Sequence, residues 1–95
     1  MQFSKELHHD VLSGRITVSF RLWKRPKVKV GNRYQVGEGA IEVDGLHLIP
    51  FRAITSADVR RAGERDREAL RRRAAHAGPV DDDTMLYMVE FHAII

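Results

Sequence analysis

The segment Arg15-Ile16-Thr17-Val18-Ser19-Phe20-Arg21-Leu22-Trp23 alternates apolar and polar residues without a break. Alternation with period two marks a half-buried strand, because successive side chains leave a pleated backbone on opposite sides. Ile16, Val18, Phe20 and Leu22 are thereby committed to a core, and Arg15, Thr17, Ser19, Arg21 and Trp23 to the other face. The chain must build a sheet, and its 95 residues supply material for one core and one binding face, hence a single domain over 1–95.

The remaining segments read as short elements around that strand. Leu7 to Ser13 places apolar residues at 7, 11 and 12, a helical spacing, and Gly14 is a stop. Pro26 interrupts pairing, Gly31-Asn32 makes a turn, and Tyr34-Gln35-Val36 is a short strand closed by Gly37 and Gly39. Asp44-Gly45 between Ala40–Val43 and Leu46–Ile49 predicts a two-residue hairpin. Thr55 or Ser56 caps a helix reaching about Gly63, with Asp58 placed for the helix dipole. A second helix runs from about Asp66 to His76, with a thin apolar stripe of Ala69, Leu70 and Ala74 and with Arg67, Arg71 and Arg72 on its wetter side. Met85 to Ile94 is the closing strand, with Tyr87, Val89 and Phe91 inward. This order predicts an α+β fold: a small mixed β-barrel with two to three helices packed outside.

Charge is informative only locally. The net formal charge is +3, yet residues 1–35 carry eight cations against Glu6 and Asp10, while residues 81–95 carry four acids and no cation. Segregation of this kind points to a polyanion partner. With no cysteine, the chain has no disulfide, thiolate metal site or thiol nucleophile. No apolar run approaches a membrane span and the first residues carry no hydrophobic signal segment, so the expectation is a cytoplasmic protein without membrane contact.

Four segments, in order, resemble the ASCH family of PUA-like barrels. They are Gly14-Arg15-Ile16-Thr17-Val18-Ser19-Phe20-Arg21, Val30-Gly31-Asn32-Arg33-Tyr34, the capped helix Ile54 to Gly63, and Tyr87-Met88-Val89-Glu90-Phe91. The resemblance implies a PUA-like barrel and a family holding both RNA-binding modules and small amidohydrolases that remove acyl groups from cytidine. The catalytic lysine, threonine and glutamate of that hydrolase branch fall on Ile16, Ser19 and Ala62. Isoleucine and alanine offer no titratable group, and Arg15 is too basic to serve as a general base. Only Ser19 keeps a reactive atom, and Glu64 lies two residues from the glutamate position. The expectation leans away from an enzyme.

The residues support binding independently. Same-face side chains on a strand recur every ~6.6 Å, close to the nucleotide spacing of a stretched single strand. Arg15, Thr17, Ser19, Arg21 and Trp23 would then offer cations to phosphates, hydroxyls to sugars or base edges, and an indole for stacking. Arg21 has a structural alternative, an ion pair with a barrel carboxylate such as Glu90, and Trp23 another, a half-buried barrel-edge position. Lys24, Arg25, Lys27, Lys29 and Arg33 form an acid-free loop over 24–33, suited to clamp phosphates. Arg60 and Arg61 extend the track, and Arg71, Arg72 and Arg73 read as a solvated face. No recognition helix or basic zipper is evident, which favours RNA or single-stranded DNA over duplex DNA. Histidines 8, 9, 47, 76 and 92 lack ligand spacing, and no phosphate loop follows Gly37-Glu38-Gly39, so no metal and no cofactor is expected. The remaining alternatives are hydrolysis of acylated cytidine nucleosides through Ser19 and a module docking an acidic protein on the Arg-rich helix. A monomer or weak homodimer is expected.

Overall fold

The alternating segment is a strand only in its middle. In the computed structural model, which describes residues 1–94, β1 spans Val18–Arg21. Helix α1 (His8–Leu12) ends through Gly14, whose φ of +85° a side chain would strain. The amides of Arg15 and Ile16 then both bond the Asp10 carbonyl, and the Thr17 amide bonds the Arg61 carbonyl. Those bonds withdraw Arg15, Ile16 and the Thr17 amide from the ladder, where only the Thr17 carbonyl still accepts from the Phe91 amide, so the expected nine-residue strand is shortened.

Strand β2 (Arg33–Val36) precedes the long strand β3 (Gly39–Pro50), and β4 (Met85–Ile94) closes the described chain. The sheet order is β1-β4-β3-β2, with every neighbour antiparallel. The expected mixed barrel is thus corrected to an open, purely antiparallel four-stranded sheet. The N-terminal arm and α1 occupy the ground between the two edges: Arg21 on β1 holds the Gln2 carbonyl, while α1 packs on β2, β3 and β4.

The predicted Asp44-Gly45 hairpin does not form. β4 pairs with β3 along its whole length, from Ala40↔Ile94 to Pro50↔Met85, so the dipeptide stays within one strand. It is a bulge instead, where the register shifts between Val43 and Gly45. Gly45 is needed for space: a Cβ there would lie 2.9 Å from Glu90 Oε1.

Both sheet faces are covered. On one face Val18 and Phe20 of β1 join Leu86 of β4, Phe51, and Val59, Leu70 and Ala74 from the two C-terminal helices. On the other, Ile41 and Val43 of β3 and Val89 and Phe91 of β4 pack under Val11 of α1. Val89 and Phe91 are therefore inward as predicted, whereas Leu86 is fully buried on the opposite face and Tyr87 is only half-buried.

Helix α2 (Ser56–Arg61) starts at Thr55 with a reciprocal capping box to Asp58, and α3 (Arg67–Ala74) starts at Asp66, whose carboxylate accepts from the Ala69 amide. Two arginines expected on the wet side of α3 are structural. Arg67 and Arg71 lie 4.7 and 4.3 Å from the Phe51 ring centroid. Arg67 also donates to the carbonyls of Phe51 and Ile54, and Arg71 to that of Val80. No helix among the described residues is long and apolar enough to cross a membrane.

Candidate functional site: a cavity on the free edge of β1

β4 pairs with one edge of β1, and among the described residues no strand pairs with the other. A cavity of about 910 Å³ opens there, between the N-terminal arm (Gln2, Phe3, Ser4) and the α3 side chains Arg72 and Arg73. Ser19 and Arg21 line it from β1, together with Ile16, Ala62 and Glu64.

Arg21 is the central group. Its Nε donates to Ser19 Oγ at 2.8 Å, its Nη2 donates to the Gln2 carbonyl at 2.7 Å, and its guanidinium lies 4.9 Å from the Phe3 ring centroid. No carboxylate among the described residues reaches it, and burial lowers its pKa from the ordinary arginine value. The expected alternative, an ion pair with Glu90, does not form. Glu90 sits opposite Val18 and so points to the other face of β1 from Arg21. There it accepts from Arg61 and meets His47, each at 3.0 Å, and the Arg61 hydrogen bond holds its carboxyl below the usual range.

The cavity wall carries Arg21, Lys27, Arg72 and Arg73 against one carboxylate, Glu64. The Glu64 side chain is only 9% exposed and accepts from Arg73 Nε. Positive potential therefore persists inside the cavity.

The structure gathers some of the expected site residues and separates others. Ser19, Arg21, Trp23 and Lys27 all line the cavity. Trp23 is half-buried against Tyr87, ring centroids 6.1 Å apart. Lys24, Arg25 and Lys29 are exposed, and no carboxylate among the described residues lies within ion-pair distance of them. Thr17 and Arg61 bond each other away from the cavity, and Arg61 is committed to Glu90 and Asp58. Arg15 is exposed, 3.9 Å from Asp10, Arg33 pairs with Glu42 at 3.1 Å, and Arg60 is exposed on α2. The loss of strand geometry before Val18 is what breaks the expected row of five.

Arg72 and Arg73 are cavity residues that the charge pattern assigned to solvent. A signal existed: Ala69, Arg72, Arg73 and His76 follow the i, i+3, i+4, i+7 spacing of one helix face, and all four line the cavity. Elsewhere, cross-strand pairing brings Glu42, Asp44 and His92 together with ligand atoms within 4.8 Å, a grouping invisible in sequence spacing. His92 Nδ1 bonds Asp44 there at 2.8 Å, and Glu42 carries Arg33.

No family model and no curated protein matches the chain. Among solved structures, an ASCH domain from Lactobacillus crispatus JV V101 superposes with a TM-score of 0.72 at 17% identity, over 93% of this chain and 70% of that one. A protein from Enterococcus faecalis V583 assigned to DUF984 superposes with a TM-score of 0.72 at 14% identity, over 94% of this chain and 67% of that one. At such identities the likeness concerns backbone architecture, and in that sense the chain has the α+β fold of an ASCH domain, its sheet left open.

Proposed function

We propose that this protein binds single-stranded nucleic acid, RNA or single-stranded DNA, with the cavity beside β1 as the anchoring site. The observation that carries this reading is Arg21: a partly desolvated guanidinium with no carboxylate partner among the described residues, lining a cavity where cations outnumber acids. Leaving a half-buried cation uncompensated costs folding free energy, and an anionic ligand supplies the missing charge. Lys27 in the wall and Lys24, Arg25 and Lys29 on the adjoining loop continue the positive surface outward. Trp23 lies between the two as a stacking surface. The fold adds weight, since the ASCH resemblance implies RNA-binding relatives.

The test is fluorescence anisotropy of dye-labelled single-stranded RNA and DNA hexamers titrated with the protein between about 50 and 200 mM salt, the range over which phosphate contacts weaken steeply. Binding that falls with salt and is lost in the Arg21→Ala, Trp23→Ala double variant is expected. Unchanged binding by that variant would sink the reading.

One observation favours hydrolysis as a second reading: Glu64 shares the cavity with Ser19. Against it, the residue at the family's lysine position, Ile16, is buried in an apolar cluster, and Glu64 is engaged by Arg73. Incubation with acylated cytidine should release no free acid; release abolished by Ser19→Ala would reverse the preference.

A further inference from the structure

Antiparallel ladders alternate, so every second residue of an edge strand turns its main-chain N–H and C=O away from the sheet. The Phe91 amide bonds the Thr17 carbonyl, and Ser19↔Val89 and Arg21↔Tyr87 follow in the same register. Ser19 and Arg21 therefore spend their main-chain groups on β4, while those of Val18 and Phe20 turn to the unpaired edge. Val18 is fully buried, whereas Phe20 retains 8% exposure and lines the cavity. The main-chain donor and acceptor of Phe20 thus lie side by side at the cavity wall, nearly buried and left unpaired by the ladder. Such groups strongly favour a partner.

We infer that the Phe20 main chain is the base-reading edge of this site, taking a planar ring that carries a hydrogen-bond donor beside an acceptor. The inference rests on the nucleic-acid reading and specifies how it works. Every nucleobase presents a donor next to an acceptor along its pairing edge, and RNA-binding proteins read unstacked bases there. An added peptide strand needs successive outward residues along an open edge. Within β1, Phe20 is the one outward-turned residue that keeps any exposure, and Arg21 beside it holds the Gln2 carbonyl of the N-terminal arm. One ring fits that geometry where a strand does not. Ser19 and Arg21 flank the edge on one side of the sheet and the Phe20 side chain on the other, so the ring enters in the plane of the sheet with its phosphate within reach of cations.

The experiment uses the 15N-labelled full chain and hexanucleotides of each base, with the tightest binder compared with its counterpart methylated on the pairing edge. On titration, the Phe20 amide should shift more than those of Ser19 and Arg21, which already bond β4, and methylation should weaken binding about tenfold or more, as loss of a bidentate base contact does. If an oligonucleotide quenches Trp23 while the Phe20 amide stays put and the methylated strand binds equally well, the inference falls and nucleic-acid binding stands. If no hexanucleotide binds, both fall together.

Discussion

Replacing Arg21 with alanine separates a binding group from a structural one. The side chain makes two hydrogen bonds, to Ser19 Oγ and the Gln2 carbonyl, and packs against the Phe3 ring. Bonds from a charged donor contribute about 1.5 kcal/mol each at the lower end, and a cation–π contact about 0.5 kcal/mol. Opposing them is the desolvation of a cation without a countercharge, several kcal/mol for a fully buried ion and less for this half-buried one. The contributions nearly cancel, and Arg21→Ala should change folding stability by no more than about 1 kcal/mol. Binding should suffer far more. Loss of a charge-assisted contact to the ligand costs about 1–3 kcal/mol, roughly five- to 150-fold in Kd. The salt slope should also drop by about 0.7, the value for one phosphate contact of a single strand. Urea denaturation followed by circular dichroism gives the stability, and Trp23 quenching at several salt concentrations gives affinity and slope. A variant destabilised by about 3 kcal/mol that still binds normally refutes the argument, because Arg21 would then be a structural strut.

The remaining expectations concern the frame around the cavity. Arg67→Ala removes a cation from the Phe51 ring and hydrogen bonds from the Phe51 and Ile54 carbonyls, and should cost about 1–3 kcal/mol by urea denaturation with the slope unchanged. Gly63→Ala places a Cβ at a φ of +78° and 2.6 Å from Ile16 Cδ1. It should cost about 1–2 kcal/mol for the left-handed backbone alone, and it should weaken ligand binding too, since Ile16 lines the cavity. Glu90 has a carboxyl held below its ordinary range chiefly by Arg61, so its contribution is present above the usual glutamate pKa and lost as pH falls through the lowered folded value. Acid titration of stability should therefore be shallower for Glu90→Gln than for the parent, and parallel curves would count against the network.

Local signals hold where local chemistry decides the outcome. Thr55 and Asp58 form the capping box, Asp66 caps the next helix, and Gly14 and Gly63 take the left-handed turns that stop α1 and α2. Asp44-Gly45 is the instructive failure. The dipeptide suits a hairpin, yet ten residues of β4 offer a continuous partner on both sides of it, and extended pairing prevails over the local turn preference. The arginines of α3 show the same limit. One run of three, Arg71 to Arg73, is divided among a backbone strut and two cavity walls according to helix angle and to what lies opposite each side chain.

The linear order of residues dictates that a strand through residues 18–21 buries Val18 and Phe20 and turns Ser19 and Arg21 the other way, because pleating admits no other division. It also placed the acid-free cationic loop next to that strand. Long-range packing makes β1 an edge, gives Glu90 to Arg61 so that Arg21 has no countercharge among the described residues, and turns Arg72 and Arg73 to the same cavity. Each of these depends on residues far apart in the chain meeting in space, Arg61 and Glu90 being 29 positions apart, and at such separations one-dimensional spacing carries no geometric constraint.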